Sequence, residues 1–124
     1  ESSYILCIDG GGSKTILQAM DREGNVIPLS KSNRWTHAVE AEGSNINTVG
    51  IEGVRNVLRT LFEDVTIGNK ELIHILSNCQ VVAGMAGAGL PSNKENIISL
   101  FKEWGIIEKH ILVMSDAELA LRLI

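Results

Sequence analysis

Apolar and polar positions fall in blocks along the chain, and each block predicts an element. Tyr4–Asp9 is a short apolar run closed by an acid and by Gly10-Gly11-Gly12, the pattern of a buried strand running into a tight turn. Thr15–Met20 is a second such run, Asp21–Asn25 a polar turn, and Val26–Leu29 a third run. Short turns between three strands imply an antiparallel start, with Pro28 at an edge or strand end because it has no N–H to donate. Ser30–Gly43 is polar and without a period, so it reads as irregular. From Asn45 onward Val54, Val57, Leu58, Leu61, Phe62 and Val65 recur at helical spacing, with Gly50 and Gly53 weakening the first turns. Asn69–Leu76 is a shorter helical candidate, Cys79–Met85 an apolar strand, and Gly84–Gly89 a glycine-rich turn at its end. Ser92 and Glu95 have capping-box spacing ahead of Ile97, Ile98, Phe101 and Trp104, and Gly105 closes that helix. Ile111–Met114 predicts a last strand. Ser115 and Glu118 then repeat the capping-box spacing before an apolar helix, Leu119 to Ile124.

The predicted order is β-β-β-α-(α)-β-α-β-α. Three antiparallel strands followed by two βα units give an α/β domain, a mixed five-stranded sheet with helices on its faces. Right-handed crossovers leave few topologies for that order, and a ribonuclease-H-like arrangement matches it. No repeat, low-complexity tract or linker divides the 124 residues, which suit one domain. The sequence stops within the last apolar run, without a polar tail or C-cap, and so reads as truncated.

Composition narrows the partners. With 44% hydrophobic residues and a mean hydropathy of +0.13, the chain can bury a sizeable core. The balance of 11 basic against 15 acidic residues gives a net charge of −4 with no basic run, which argues against a nucleic-acid or anionic-membrane surface. No apolar stretch reaches the roughly 18 residues of a membrane span, and no secretory signal pattern opens the chain. Cys7 and Cys79 stand alone in strand-like runs. They read as buried free thiols of a reducing compartment, so the expected location is cytoplasmic.

Asp9-Gly10-Gly11-Gly12-Ser13-Lys14-Thr15 carries the strongest chemical signal. It is neither a Walker A loop, since no glycine immediately precedes the lysine, nor a GxGxxG turn. A strand–glycine turn–strand hairpin brings backbone N–H groups close to phosphate oxygens, because glycine has no Cβ in the way. Ser13, Lys14 and Thr15 add hydroxyl donors and a cation. Asp9, at the strand end, is a hard oxygen ligand suited to Mg2+. The plain alternative is an ordinary hairpin, but such a turn seldom needs three consecutive glycines.

The stretch I-D-G-G-G-S-K-T resembles the first phosphate motif of the actin / sugar kinase / Hsp70 superfamily. Within it, the chain is most similar to the BadF/BadG/BcrA/BcrD-type ATPase family, which includes N-acetylglucosamine kinase. Gly43-Ser44-Asn45, the G-x-A-G-A segment at Gly84–Ala88 and D-A-x-x-A at Asp116–Ala120 follow in that family's order, over essentially the whole chain. The resemblance implies an ATP-dependent phosphotransferase of two domains, with residues 1–124 as the N-terminal one. It implies ATP and Mg2+ as cofactors and a small-molecule acceptor, an amino sugar; it leaves a homodimer open. Gly10, Gly11, Gly12, Ser13, Lys14 and Thr15 would hold the β- and γ-phosphates, and Asp9 with Asp116 would organise the metal.

On the acceptor side, Asn45 corresponds to the asparagine that contacts the amino sugar, with Gly87, Ala88 and Gly89 beside it. Read from the residues alone, Asn45 serves equally well as an N-cap. Asp116 resembles the catalytic acid of glucokinase-type members and lies at the C-terminal end of a strand, where it would take the acceptor's proton. Its plainer role is to favour a helix dipole, a task Glu118 can serve alone. The chain departs from the family at Gly89, where sugar kinases usually carry an Asp that binds the sugar hydroxyl.

Two further readings stay in view, the first resting on the resemblance in fold and the second mainly on Gly89. One is an ATPase that couples hydrolysis to conformational change, like the activators of acyl-CoA dehydratases or reductases; Cys7 and Cys79 do not look like the cluster ligands many of those carry. The other is a sugar- or nucleotide-sensing module without phosphoryl transfer. Since the superfamily keeps its second phosphate loop and adenosine pocket in the other half, this chain alone is expected to be inactive. His37, His74 and His110 share no metal-ligand spacing; His74, among apolar residues, reads as packed, and Trp35 with His37 as a surface loop.

Overall fold

The computed structural model describes residues 4–116. Strands β1 (Tyr4–Gly10) and β2 (Lys14–Met20) form an antiparallel hairpin with Gly10 opposite Thr15. Strand β3 (Val26–Ile27) pairs with the end of β2 and stops before Pro28, whose missing N–H ends the ladder. The chain then leaves the sheet. Strand β4 (Leu29–Lys31) turns through Ser32 and Asn33, both at positive φ, into β5 (Arg34–Thr36). Strand β6 (Val39–Glu42) returns to β2 alongside Lys14–Leu17.

The edge expected to hold one third strand is therefore shared by β3 and β6, which makes the sheet six-stranded. The segment expected to be irregular is a hairpin and a returning strand. Two consecutive left-handed residues match the twist of the strands they join, and Ser32-Asn33 was the signal for it.

Helix α1 (Ile46–Phe62) starts at its N-cap Asn45 and is interrupted at Gly50, with φ 71° and ψ 176°. Gly50 does weaken the first turns, to the point that Ile46–Val49 is a separate one. Asp64, at φ 59°, turns the chain after the helix, so Val65, expected on the helix face, lies in β7 (Val65–Ile67). Strand β7 pairs with β4 and, through a left-handed Gly68, with β8 (Lys70–Glu71), giving a small second sheet in the order β5-β4-β7-β8. That hairpin takes up the start of the helix expected over Asn69–Leu76. What remains is α2 (Leu72–Ile75) and a 3₁₀ turn at Leu76–Asn78. His74 is exposed on α2 and faces Glu71, not packed as expected, because this short helix buries only Leu72.

Strand β9 (Cys79–Met85) enters parallel to β1, α3 (Pro91–Glu103) crosses back, and β10 (Ile111–Met114) pairs parallel with β9. The expected capping box at Ser92 does not form: Leu90 is the N-cap, without a side-chain bond, and Pro91 opens the helix. Proline's fixed φ and absent N–H suit that first position, which places Ser92 inside the turn. The main sheet runs β10-β9-β1-β2-β3 with β6 also on β2, the mixed, ribonuclease-H-like arrangement the element order implied. Glu118 and the helix expected at Leu119 to Ile124 lie outside the described residues.

One face of the sheet is sealed. Leu6, Ile8, Leu17, Val81 and Ala83 meet Val54, Leu58, Leu61 and Phe62 of α1 and Ile97, Leu100 and Phe101 of α3. Phe62 also sets its ring edge-on to Trp104, centroids 5.5 Å apart. Each large side chain so buried contributes about 1.5–3 kcal/mol, which pins both helices and the turns that lead into them. On the other face Ile5, Cys7, Ile16, Gln18, Met20 and Val82, with Asp9, line an open groove of about 600 Å³. Both cysteines are unpaired. Burial raises the Cys7 thiol pKa and pushes that of Cys79 up to about 11, so neither is a ready nucleophile at neutral pH.

Candidate functional site

Three turns leave the sheet at one edge. Asp9 is level with Gly84, and Gly84 with Met114, so the hairpin after β1, the loop after β9 and Ser115-Asp116 after β10 all lie at the C-terminal ends of parallel strands. That edge is where open α/β sheets gather their ligands.

The glycines of the hairpin are there for different reasons. Gly10 is buried, and a Cβ on it would collide with Ser44 Oγ and Met85 Sδ. Gly12, at the exposed tip, is not at positive φ, and a Cβ there would meet nothing within 4 Å. Folding requires the first glycine and not the second. Beside the open tip Ser13 and Lys14 are exposed, and Gly11 N–H donates to Lys14 O at 2.9 Å to close the turn.

Thr15, expected to offer its hydroxyl to phosphate, is fully buried. Strand alternation turns Lys14 outward and Thr15 inward. Its Oγ1 lies 2.7 Å from Glu42 O and 2.7 Å from Ser44 Oγ. With one proton to give, it donates to the carbonyl and accepts from the Ser44 hydroxyl. Thr15 therefore supports the hairpin from beneath, and Ser44, which sequence reasoning passed over, is its buried partner. No local pattern announces a bond across 29 positions. Gly43 completes the join: a Cβ there would strike Gly12 O, and Ser44 N–H donates to Gly11 O at 3.0 Å.

The loop after β9 is tied to the same structure. Ala86 N–H donates to Gly10 O at 2.8 Å, and Ile46 N–H to Ala86 O at 3.4 Å. Gly87 has φ +88°, and a Cβ on it would press against Asn45 Oδ1, Ile46 Cγ2 and Asn47 Nδ2 at 2.9–3.1 Å. Ala88, expected beside a substrate, is fully buried and belongs to the core, since the chain must dip inward before α3. Gly89 is exposed, and a Cβ there would meet nothing. Asn45 is half-buried, and its Oδ1 accepts from Asn47 N–H at 3.0 Å. The N-cap role is thus real, while Asn45 Nδ2 has no hydrogen-bond partner among the described residues.

Asp9 and Asp116 are both exposed. Asp9 is the penultimate residue of β1 and Asp116 lies two residues past β10, with β9 between the two strands. Among the described residues no three His, Cys, Asp or Glu side chains gather into a metal cluster. Asp9 and Asp116 are hard oxygen donors of the kind Mg2+ takes one or two at a time. The open backbone at Gly12 leaves room for phosphates. Trp35 and His37 are exposed, as expected, though Trp35 sits on strand β5 and not in a loop.

No protein-family model matches the chain. Over 119 residues, 95% of its length, it is 33% identical to the N-acetylmuramic acid/N-acetylglucosamine kinase of Clostridium acetobutylicum, of which it spans 35%. Its fold matches the crystal structure of a candidate N-acetylglucosamine kinase from Chromobacterium violaceum with a TM-score of 0.58, over 92% of this chain and 35% of that one, at 14% identity. The sequence match supports the resemblance to amino-sugar kinases, and the structural match shows the shared fold. No helix among the described residues is long and apolar enough to cross a membrane.

Proposed function

We propose that this chain carries the phosphate- and acceptor-binding elements of an ATP-dependent amino-sugar kinase, as the N-terminal of its two domains. The observation that carries the reading is the meeting, at one sheet edge, of a hairpin with an open glycine tip and a glycine loop flanked by asparagines. In this reading the N–H groups of Gly12 and Ser13 and the Lys14 ammonium hold the β- and γ-phosphates, while the Gly11 N–H stays on Lys14 O and shapes the turn. Thr15 and Ala88 shape the two turns from inside without touching ligand. Asp9 and Asp116 are the carboxylates that would hold Mg2+, which would supply charge neutralisation on the phosphates.

Asn45 offers Nδ2 to the acceptor, and the exposed backbone around Gly89 lines its place. The acceptor hydroxyl oxygen bonds to the γ-phosphorus, the bond from that phosphorus to the bridging oxygen breaks, and ADP leaves. The hydroxyl proton passes to the Asp116 carboxylate. Most of the rate then comes from positioning and charge placement. The matched relative is named for N-acetylmuramic acid and N-acetylglucosamine, so these are the acceptors to try first. ATP as donor suits a cytoplasmic location. With the second phosphate loop and adenosine pocket in the other domain, residues 1–124 alone turn over no ATP.

Gly89 favours a second reading, an ATP-binding module that senses sugar or couples hydrolysis to movement, because it leaves Asp116 as the single base. The test is ADP release from Mg-ATP by the full-length protein, with and without a panel of amino sugars and hexoses. Release that depends on one sugar, with a phosphorylated product, is expected. Release indifferent to every sugar would point to the coupled ATPase, and sugar binding without release to the sensor.

A further inference from the structure

Asn93 belongs to none of the motifs above. It sits half-buried in the first turn of α3. Its Nδ2 donates to Gly87 O at 2.9 Å and to Asn47 Oδ1 at 3.1 Å. Both amide protons are used, which fixes the side chain's orientation, since the flipped amide would set oxygen against two acceptors. The peptide between Gly87 and Ala88 is therefore held from both sides, its carbonyl by Asn93 and its N–H by Met85 O at 3.0 Å. Asn47 extends the link, because its N–H is the one that Asn45 Oδ1 caps. Gly50 cuts the turn bearing Asn45 and Asn47 away from the rest of α1. Asn93 adds lateral support to that turn, beside the buried Ile46 side chain and the Ile46 N–H to Ala86 O bond.

We propose that Asn93 is a positioning residue for the acceptor: through Gly87 O and Asn47 it holds the loop leading to Gly89 and the Asn45 amide in register with each other. The proposal rests on the kinase reading and deepens it. Asn93 touches no reacting atom and its side-chain hydrogen bonds go to Gly87 and Asn47, not to the hairpin, so its effect falls on the sugar and not on ATP.

The test compares Asn93→Asp and Asn93→Ala with wild type in the full-length protein, using Mg-ATP and N-acetylglucosamine, alongside thermal unfolding. Asn93→Asp keeps the volume but sets a carboxylate against two acceptor oxygens. Both variants are expected to raise the KM for sugar about tenfold while the KM for ATP stays within about twofold, with unfolding midpoints within about 3 °C of wild type. A lowered midpoint with an unchanged sugar KM would overturn the proposal, as would an equal rise in both KM values. Should those variants fail to fold, Asn47→Ala removes one bond from an exposed partner and is expected to raise the sugar KM by a smaller factor; no rise there overturns it too. A wild type without sugar-dependent turnover removes the kinase reading, and this proposal with it, and shows in the control before any variant is compared.

Discussion

In the hairpin after β1, Gly10 is enforced by Ser44 and Met85 pressing on it, while Gly12 faces open space. In the loop after β9, Gly87 is enforced by its positive φ and by Asn45, while Gly89 faces open space. Each turn thus has one glycine that the fold requires and one that it does not. The two that the fold does not require are exposed, on the side where the proposed ligands would sit. The turns differ in what they offer there: the hairpin sets Lys14 beside its open tip, whereas the loop has no charged side chain, and an acid, Asp116, follows β10 on the neighbouring strand.

The largest effect that sharpens this contrast is expected at that acid. Asp116→Asn in the full-length protein should lower kcat by about 10²- to 10⁴-fold with the sugar KM little changed, read from steady-state kinetics. Next comes Gly43→Ala, which drives a Cβ into Gly12 O, a backbone atom that cannot swing aside. Overpacking of this kind costs about 1–3 kcal/mol; denaturant unfolding should show it together with a rise in the KM for ATP. If Gly43→Ala were silent in both, the hairpin would not be seated on the Gly43–Asn45 segment. Gly89→Asp fills open space and should leave stability within about 0.5 kcal/mol. On the proposal that Asp116 takes the proton, kcat should change less than about tenfold; a larger gain would show that the loop lacks a base it needs.

How much of this was legible in the sequence depends on the range of the interaction. The hairpin, β9, α3, β10 and the helical face from Val54 to Phe62 are set by local apolar period and by glycine, and all were readable. The detour through β4 and β5 was not, because its strands are three residues long and their alternation is lost among polar residues. The capping box at Ser92 misled because Pro91, one residue earlier, is the stronger determinant of where a helix begins. At the site, residue types pointed to Asp9, Gly12, Lys14 and Asn45 at exposed or half-buried positions. The inward turn of Thr15 and its bond to Ser44, like the Asn93–Gly87 bond, are tertiary and leave no spacing to find.

The smallest effect concerns the helices that carry these turns. The Arg55 guanidinium, hydrogen-bonded from α1, holds the Glu103 carboxyl of α3 below the usual glutamate range. A depressed folded pKa contributes stability above the unfolded value, about 4.3, that is lost as pH falls through the folded one. Wild type should therefore lose slightly more stability than Arg55→Ala over that acid window, measured by denaturant midpoints.

The central claim, that a glycine the fold does not require marks the ligand side, is tested most directly by Gly12→Ala in the full-length protein, with ATP affinity and unfolding midpoint measured side by side. ATP binding about tenfold weaker, with stability within about 0.5 kcal/mol of wild type, is the result expected. Unchanged ATP affinity, or weaker binding accompanied by lost stability, would contradict it.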